Sequence, residues 1–151
     1  MQERASELDR ARSALRLRLA GAALGLSLLV LSNGGARESA GAAVLAYTIG
    51  AILIRFGVAR GVVPLATIGI VLDVIYASAL TSSLASTEPA WALYAFAIAN
   101  ASQRWGAWGA VAATAGAVAA YDIVLGARSP DARASDLWPI QVILAIGLLC
   151  T

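Results

Sequence analysis

Between Glu88 and Gly126 the chain runs for 39 residues with three charged side chains, Glu88, Arg104 and Asp122. The stretch reads EPAWALYAFAIANASQRWGAWGAVAATAGAVAAYDIVLG. This predicts two apolar helices joined at a short polar hinge, Gln103-Arg104-Trp105-Gly106. Pro89 opens the first, where its missing N–H would have had no helical partner anyway. The second is built from small residues, with Gly109, Ala113, Gly116 and Ala117 at close helical spacing. Small residues let helix backbones approach where lipid supplies no hydrophobic drive for association. Those four are expected at helix–helix contacts, and Val118 and Val124 are expected to face lipid.

Composition places the rest of the chain in the same class. Hydrophobic residues make up 60% and charged residues 13%, against about 25% charged in soluble domains. The chain has no histidine, and its eleven basic residues are all arginine. A histidine acid–base catalyst, a phospho-accepting histidine and a zinc site are therefore excluded within these residues. One cysteine, Cys150, excludes an internal disulfide. No phosphate-binding glycine loop or Ser/His/Asp set is present, so neither catalysis nor a cofactor is expected of these 151 residues.

The expected fold is all-α: a polytopic membrane helical bundle with five complete transmembrane helices and a truncated sixth. Residues 1–14 form a cytoplasmic amphipathic lead, and 15–151 form the transmembrane domain. In 1–18, five arginines alternate with Glu3, Glu7 and Asp9, which suits a surface helix and argues against nucleic-acid binding. The spans fall at about 15–31, 40–59, 62–84, 90–103, 107–125 and 138–151. Arg16 and Arg18 open the first span, where their stems can snorkel to the headgroups. A secretory signal peptide is the alternative there, although residues 32–38 offer a poor cleavage site. A span needs roughly 20 helical residues, and only 14 remain from Trp138, so the sequence reads as cut inside its sixth helix. Taking alternate connections as one side, eight arginines face three. That places the amino terminus in the cytoplasm, with the chain multi-pass in the cell membrane.

Two polar groups stand out inside the spans. Asp73 lies near mid-bilayer on the third helix, with Tyr76 one turn away and Tyr47 at similar depth on the second. An acid at that depth is expensive and is a functional candidate by default. It reads either as a sensing site for a ligand, proton or ion, or as a protonated carboxyl bonding two helices together. Asn100, Gln103 and Arg104 form a second cluster, expected to anchor the fourth helix at the headgroups beside Trp105 and Trp108.

Residues 45–126 resemble the multi-span amino-terminal membrane input region of bacterial sensor histidine kinases, similar regions of which also precede diguanylate cyclases. The matching residues are Asp73 in Val71-Leu72-Asp73, then Pro89, Leu93-Tyr94, Arg104-Trp105-Gly106 and Ala119-Ala120-Tyr121. The resemblance implies a sensory and anchoring domain in the lipid bilayer, a homodimer, and a cytoplasmic output domain downstream. A small transporter using Asp73 as its coupling acid is the competing expectation.

Overall fold

The computed structural model describes residues 2–31, 37–60, 64–83, 91–128 and 137–151, which are helical apart from residues 60, 91, 150 and 151. The helices are α1 (Gln2–Leu31), α2 (Arg37–Ala59), α3 (Pro64–Ser83), α4 (Ala92–Arg128) and α5 (Leu137–Leu149). Pro64 opens α3 in the one turn where proline costs no hydrogen bond. Hydroxyls inside the helices bond back to carbonyls one turn earlier, as Thr48 does to Val44, Thr81 to Ala77 and Thr114 to Ala110. That local bond lets a polar side chain sit in an apolar bundle without an outside partner.

α4 folds back on itself at Gly106, whose φ of 62° and ψ of −148° break the helical run. Only glycine takes that backbone without a Cβ penalty. The reversal brings Gly109 against the Ala101 carbonyl, so closely that a Cβ on Gly109 would overlap it. Farther along, the rings of Tyr94 and Tyr121 meet edge to face at 6.1 Å, so the two arms run antiparallel. The expected hinge is therefore real, and its pivot is a single glycine.

α1 packs on α2, α2 on α3 and α3 on α4, while α4 returns to α1 and also carries α5. Cross-helix contacts show that the segments alternate in direction. Gly50 lies by Leu72 and Tyr47 by Tyr76, whereas Ser78 bonds Tyr94 and Asp73 bonds Asn100. The buried core is tyrosine, leucine, isoleucine and alanine, including Tyr94, Ile98, Ala117 and Tyr121. Outside, Leu45, Leu53, Phe56, Val71, Ile75, Trp108 and Ile123 are exposed. An apolar exterior this extensive calls for a cover that water cannot provide.

Three helical stretches are long and apolar enough to cross a membrane: Arg12–Leu31, Glu38–Ala59 and Ala92–Ala127. Among the described residues this count does not support the expectation of five complete spans and a truncated sixth. α5, Leu137–Leu149, has 13 residues and falls short of the roughly 20 a span requires, whereas α3, Pro64–Ser83, has 20. The expected helices 90–103 and 107–125 correspond to the two arms of α4, which meet at the break at Gly106. α1 is continuous from Gln2 and runs through the expected boundary at residue 14. The proline-led start at Pro89 and the connections 32–36, 84–90 and 129–136 lie outside the described residues.

Candidate functional site

The centre of the bundle is a carboxylate. Asp73, 2% exposed, sits midway along α3 and accepts hydrogen bonds from three other helices. Its Oδ1 receives Arg18 Nε at 2.8 Å and the Tyr47 hydroxyl at 2.8 Å. Its Oδ2 receives Arg18 Nη2 at 3.2 Å and Asn100 Nδ2 at 2.9 Å. Arg18 comes from α1, Tyr47 from α2 and Asn100 from the first arm of α4, so one side chain ties four helical segments together. Two nitrogens of one guanidinium on two oxygens make the fork-to-fork pairing, the strongest geometry open to this pair.

Sequence reasoning missed Arg18. Its position near the start of an apolar run suggests a side chain reaching out to the headgroups, but it is buried at 4% exposure. The guanidinium lies over Gly69, where a Cβ would overlap it. The one available signal was depth, since Arg18 lies three residues past Leu15, where the apolar run opens. Asp73 thus has a cationic partner, Arg18, at its own depth.

The structure brings Asp73 and Tyr47 together as anticipated and treats Tyr76 differently. Tyr76 stacks on Tyr47 with centroids 3.9 Å apart and rings 4° from parallel. Its hydroxyl reaches the Gly21 carbonyl at 3.4 Å instead of the carboxylate. Tyr76 thus steadies the donor and does not itself bind the acid. Asn100, expected in an interfacial cluster with Gln103 and Arg104, is buried and belongs to the Asp73 site. Gln103 is exposed and Arg104 half-buried. These two clusters, separate in the sequence, are one structure.

Asn100, Gln103 and Arg104 also line a cavity of about 40 Å³ next to the ion pair, together with Arg10, Arg18 and Arg55. Among the described residues no group of three or more His, Cys, Asp or Glu side chains could hold a metal ion.

Of the expected packing residues, Gly109, Ala113 and Ala117 are buried. Gly116 is a correction: a Cβ there meets nothing within 4 Å. It lines an open apolar groove of about 360 Å³ with Val71 and Ile75 of α3. The helix turns Ala113 and Ala117 inward, and Gly116 falls one step outside that face. Val118, expected toward lipid, is half-buried against the core.

The fold and site together define an all-helical bundle with an apolar exterior and a buried ionic centre. No family model, curated protein or solved structure matches this chain.

Proposed function

We propose that this chain is the membrane-embedded input and anchor domain of a bacterial signal-transduction protein, of the kind that feeds a sensor histidine kinase. It lies in the inner membrane with its amino terminus in the cytoplasm. The observation that carries the reading is the Asp73 carboxylate held by Arg18, Tyr47 and Asn100 from three neighbouring segments. Such a centre has one well-satisfied arrangement. Any shift of α1, α2 or α4 leaves a buried charge short of partners, which costs several kcal/mol. A bundle built this way favours discrete packings over gradual ones, and a cue that binds one packing better shifts the population. Transport is less well supported, because protein donors fill both oxygens of the carboxylate a transporter would load and unload.

Two measurements test this. Reporter fusions after Arg60 and Arg104 are expected to read cytoplasmic, and a fusion after Glu88 external. Membranes carrying the full gene product are expected to transfer phosphate from ATP to protein, with the rate altered by Arg18→Gln. Proton flux in proteoliposomes that stops with Asp73→Asn, without phosphotransfer, would establish transport instead.

A further inference from the structure

The alternating helices gather most of the chain's arginines at one end of the bundle. Arg10 of α1, Arg55 of α2 and Arg104 beside the Gly106 hinge line a common cavity, so the start of α1, the end of α2 and the hinge of α4 lie together. Arg60 belongs to the same end, held by its backbone N–H on the Phe56 and Gly57 carbonyls that close α2. Residues 1–18, 55–60 and 103–106 carry eight arginines against Glu3, Glu7 and Asp9, and Asp73 brings the acids to four. Four arginines therefore stay in excess even if each acid neutralises one. The whole chain nets +2, so that excess leaves the remaining segments at −2.

The described side chains show which arginines are left over. Arg18 is bound to Asp73, and Arg12 stands 3.8 Å from Asp9. Arg10 and Arg104 have interactions of their own. The guanidinium groups of Arg16, Arg55 and Arg60 have no partner among the described residues. Arg16 and Arg60 are exposed, and Arg55 is half-buried. The exterior around them is apolar, with Leu19, Phe56, Trp105 and Trp108 all exposed. Tryptophan on such a surface sits at the level of lipid headgroups. Trp105 adjoins Arg104, so the arginine end of the bundle shares that level, where long arginine stems hold their charge among the headgroups.

We propose that this end of the bundle is a docking surface for anionic phospholipid headgroups, with Arg16, Arg55 and Arg60 as the binding cations. Charge complementarity selects the occupant. A zwitterionic headgroup brings no net charge to a surface whose arginines outnumber its acids eight to four. A phosphodiester headgroup such as phosphatidylglycerol brings one negative charge, and its acyl chains cover the apolar side chains below the arginines. Basic residues next to a membrane are drawn to anionic lipid in this way. The inference rests on the membrane placement alone and needs nothing of the signalling assignment.

Quenching of tryptophan fluorescence tests this. The purified chain is reconstituted into vesicles of equal parts phosphatidylcholine and phosphatidylglycerol, with dibrominated acyl chains on one lipid or on the other. Bromine quenches on contact, so the two quenchings give the relative occupancy of the lipids around the protein. Phosphatidylglycerol is expected to be favoured about fivefold at low salt, the worth of one arginine near an anionic surface. That preference should vanish in molar salt, where the screening length falls to about 3 Å. Arg16→Gln with Arg60→Gln changes two exposed positions that hold no ion pair, and it should cut the preference by at least about half. Trp105→Phe with Trp108→Phe leaves Trp91 and Trp138, at the opposite ends of α4 and α5, and should remove the preference from the signal. Equal quenching by both lipids, a preference that survives salt or the arginine double variant, or one undiminished without Trp105 and Trp108 would overturn the proposal. Vesicles that take up no folded chain would overturn the membrane reading with it, whereas equal quenching leaves that reading intact.

Discussion

Tyr47 and Tyr76 stack almost parallel across the α2–α3 seam, with ring centroids 3.9 Å apart, yet only Tyr47 touches the buried carboxylate. Stacking makes one ring the support of the other, so the two hydroxyls are separable by mutation. Tyr47→Phe keeps the stack and deletes a 2.8 Å donor to Asp73 Oδ1. Hydrogen bonds to charged groups are worth about 1.5–3 kcal/mol, and that is the expected loss of stability. Tyr76→Phe removes only a 3.4 Å bond to the Gly21 carbonyl and should cost less. Denaturant titration of both variants in detergent checks the order. Equal losses would mean that the Tyr47 hydroxyl gains nothing from the carboxylate.

The ion pair predicts non-additivity. Asp73→Asn leaves the Arg18 guanidinium buried and uncompensated, a situation that costs about 3–5 kcal/mol. Arg18→Met leaves the carboxylate in the same position. Replacing both, as Arg18→Met with Asp73→Leu, removes both buried charges and should recover most of the loss. A double-mutant cycle on unfolding free energies measures the coupling. Additive effects would show that the two side chains do not share a charge in the folded bundle.

The hinge offers a third expectation. Gly106 holds φ at 62° and ψ at −148°, a region essentially confined to glycine that costs other residues roughly 1–3 kcal/mol. Gly106→Ala should therefore lower stability by about that amount, although the space around its Cβ is open. Gly109→Ala should cost more, because its Cβ would overlap the Ala101 backbone and neither arm can yield without opening the hairpin. Melting temperatures of the two variants test this order. A Gly109→Ala protein as stable as the parent would place the arms farther apart than they are here.

Patterning made the helices and the hinge legible in the sequence, because apolar runs, Pro64 and Gly106 act locally. The span count was not legible. The division of residues 88–126 into two arms at the hinge was right, while the lengths of the outlying helices were not readable from apolar runs alone. The candidate acid was legible because an aspartate in an apolar helix is conspicuous. Its partner was not, since Arg18 and Asp73 are 55 residues apart and Arg18 has an ordinary explanation at a membrane edge. The contact of Asn100 with Asp73 was missed for a related reason. Spacing of four along a helix is visible in sequence, while contact between helices depends on how deep each is set.

The last expectation concerns two adjacent residues on the second arm of α4. Ala117 is fully buried and belongs to the core with Tyr94 and Tyr121. Gly116, beside it, opens onto the apolar groove with no atom within 4 Å of where its Cβ would stand. Leucine at 117 must displace packed neighbours, and overpacking a close-packed interior costs about 1–3 kcal/mol. Leucine at 116 enters free space against Val71 and Ile75 and gains apolar contact there. It also replaces glycine in a helix, where glycine costs about 1 kcal/mol relative to alanine. Ala117→Leu should therefore lower the Tm in detergent, and Gly116→Leu should leave it unchanged or raise it. Val118→Ala should destabilise as well, because Val118 packs partly against the core. A Gly116→Leu variant less stable than Ala117→Leu would mean that the groove is filled by another element of the assembly, and that this face of α4 is an interior.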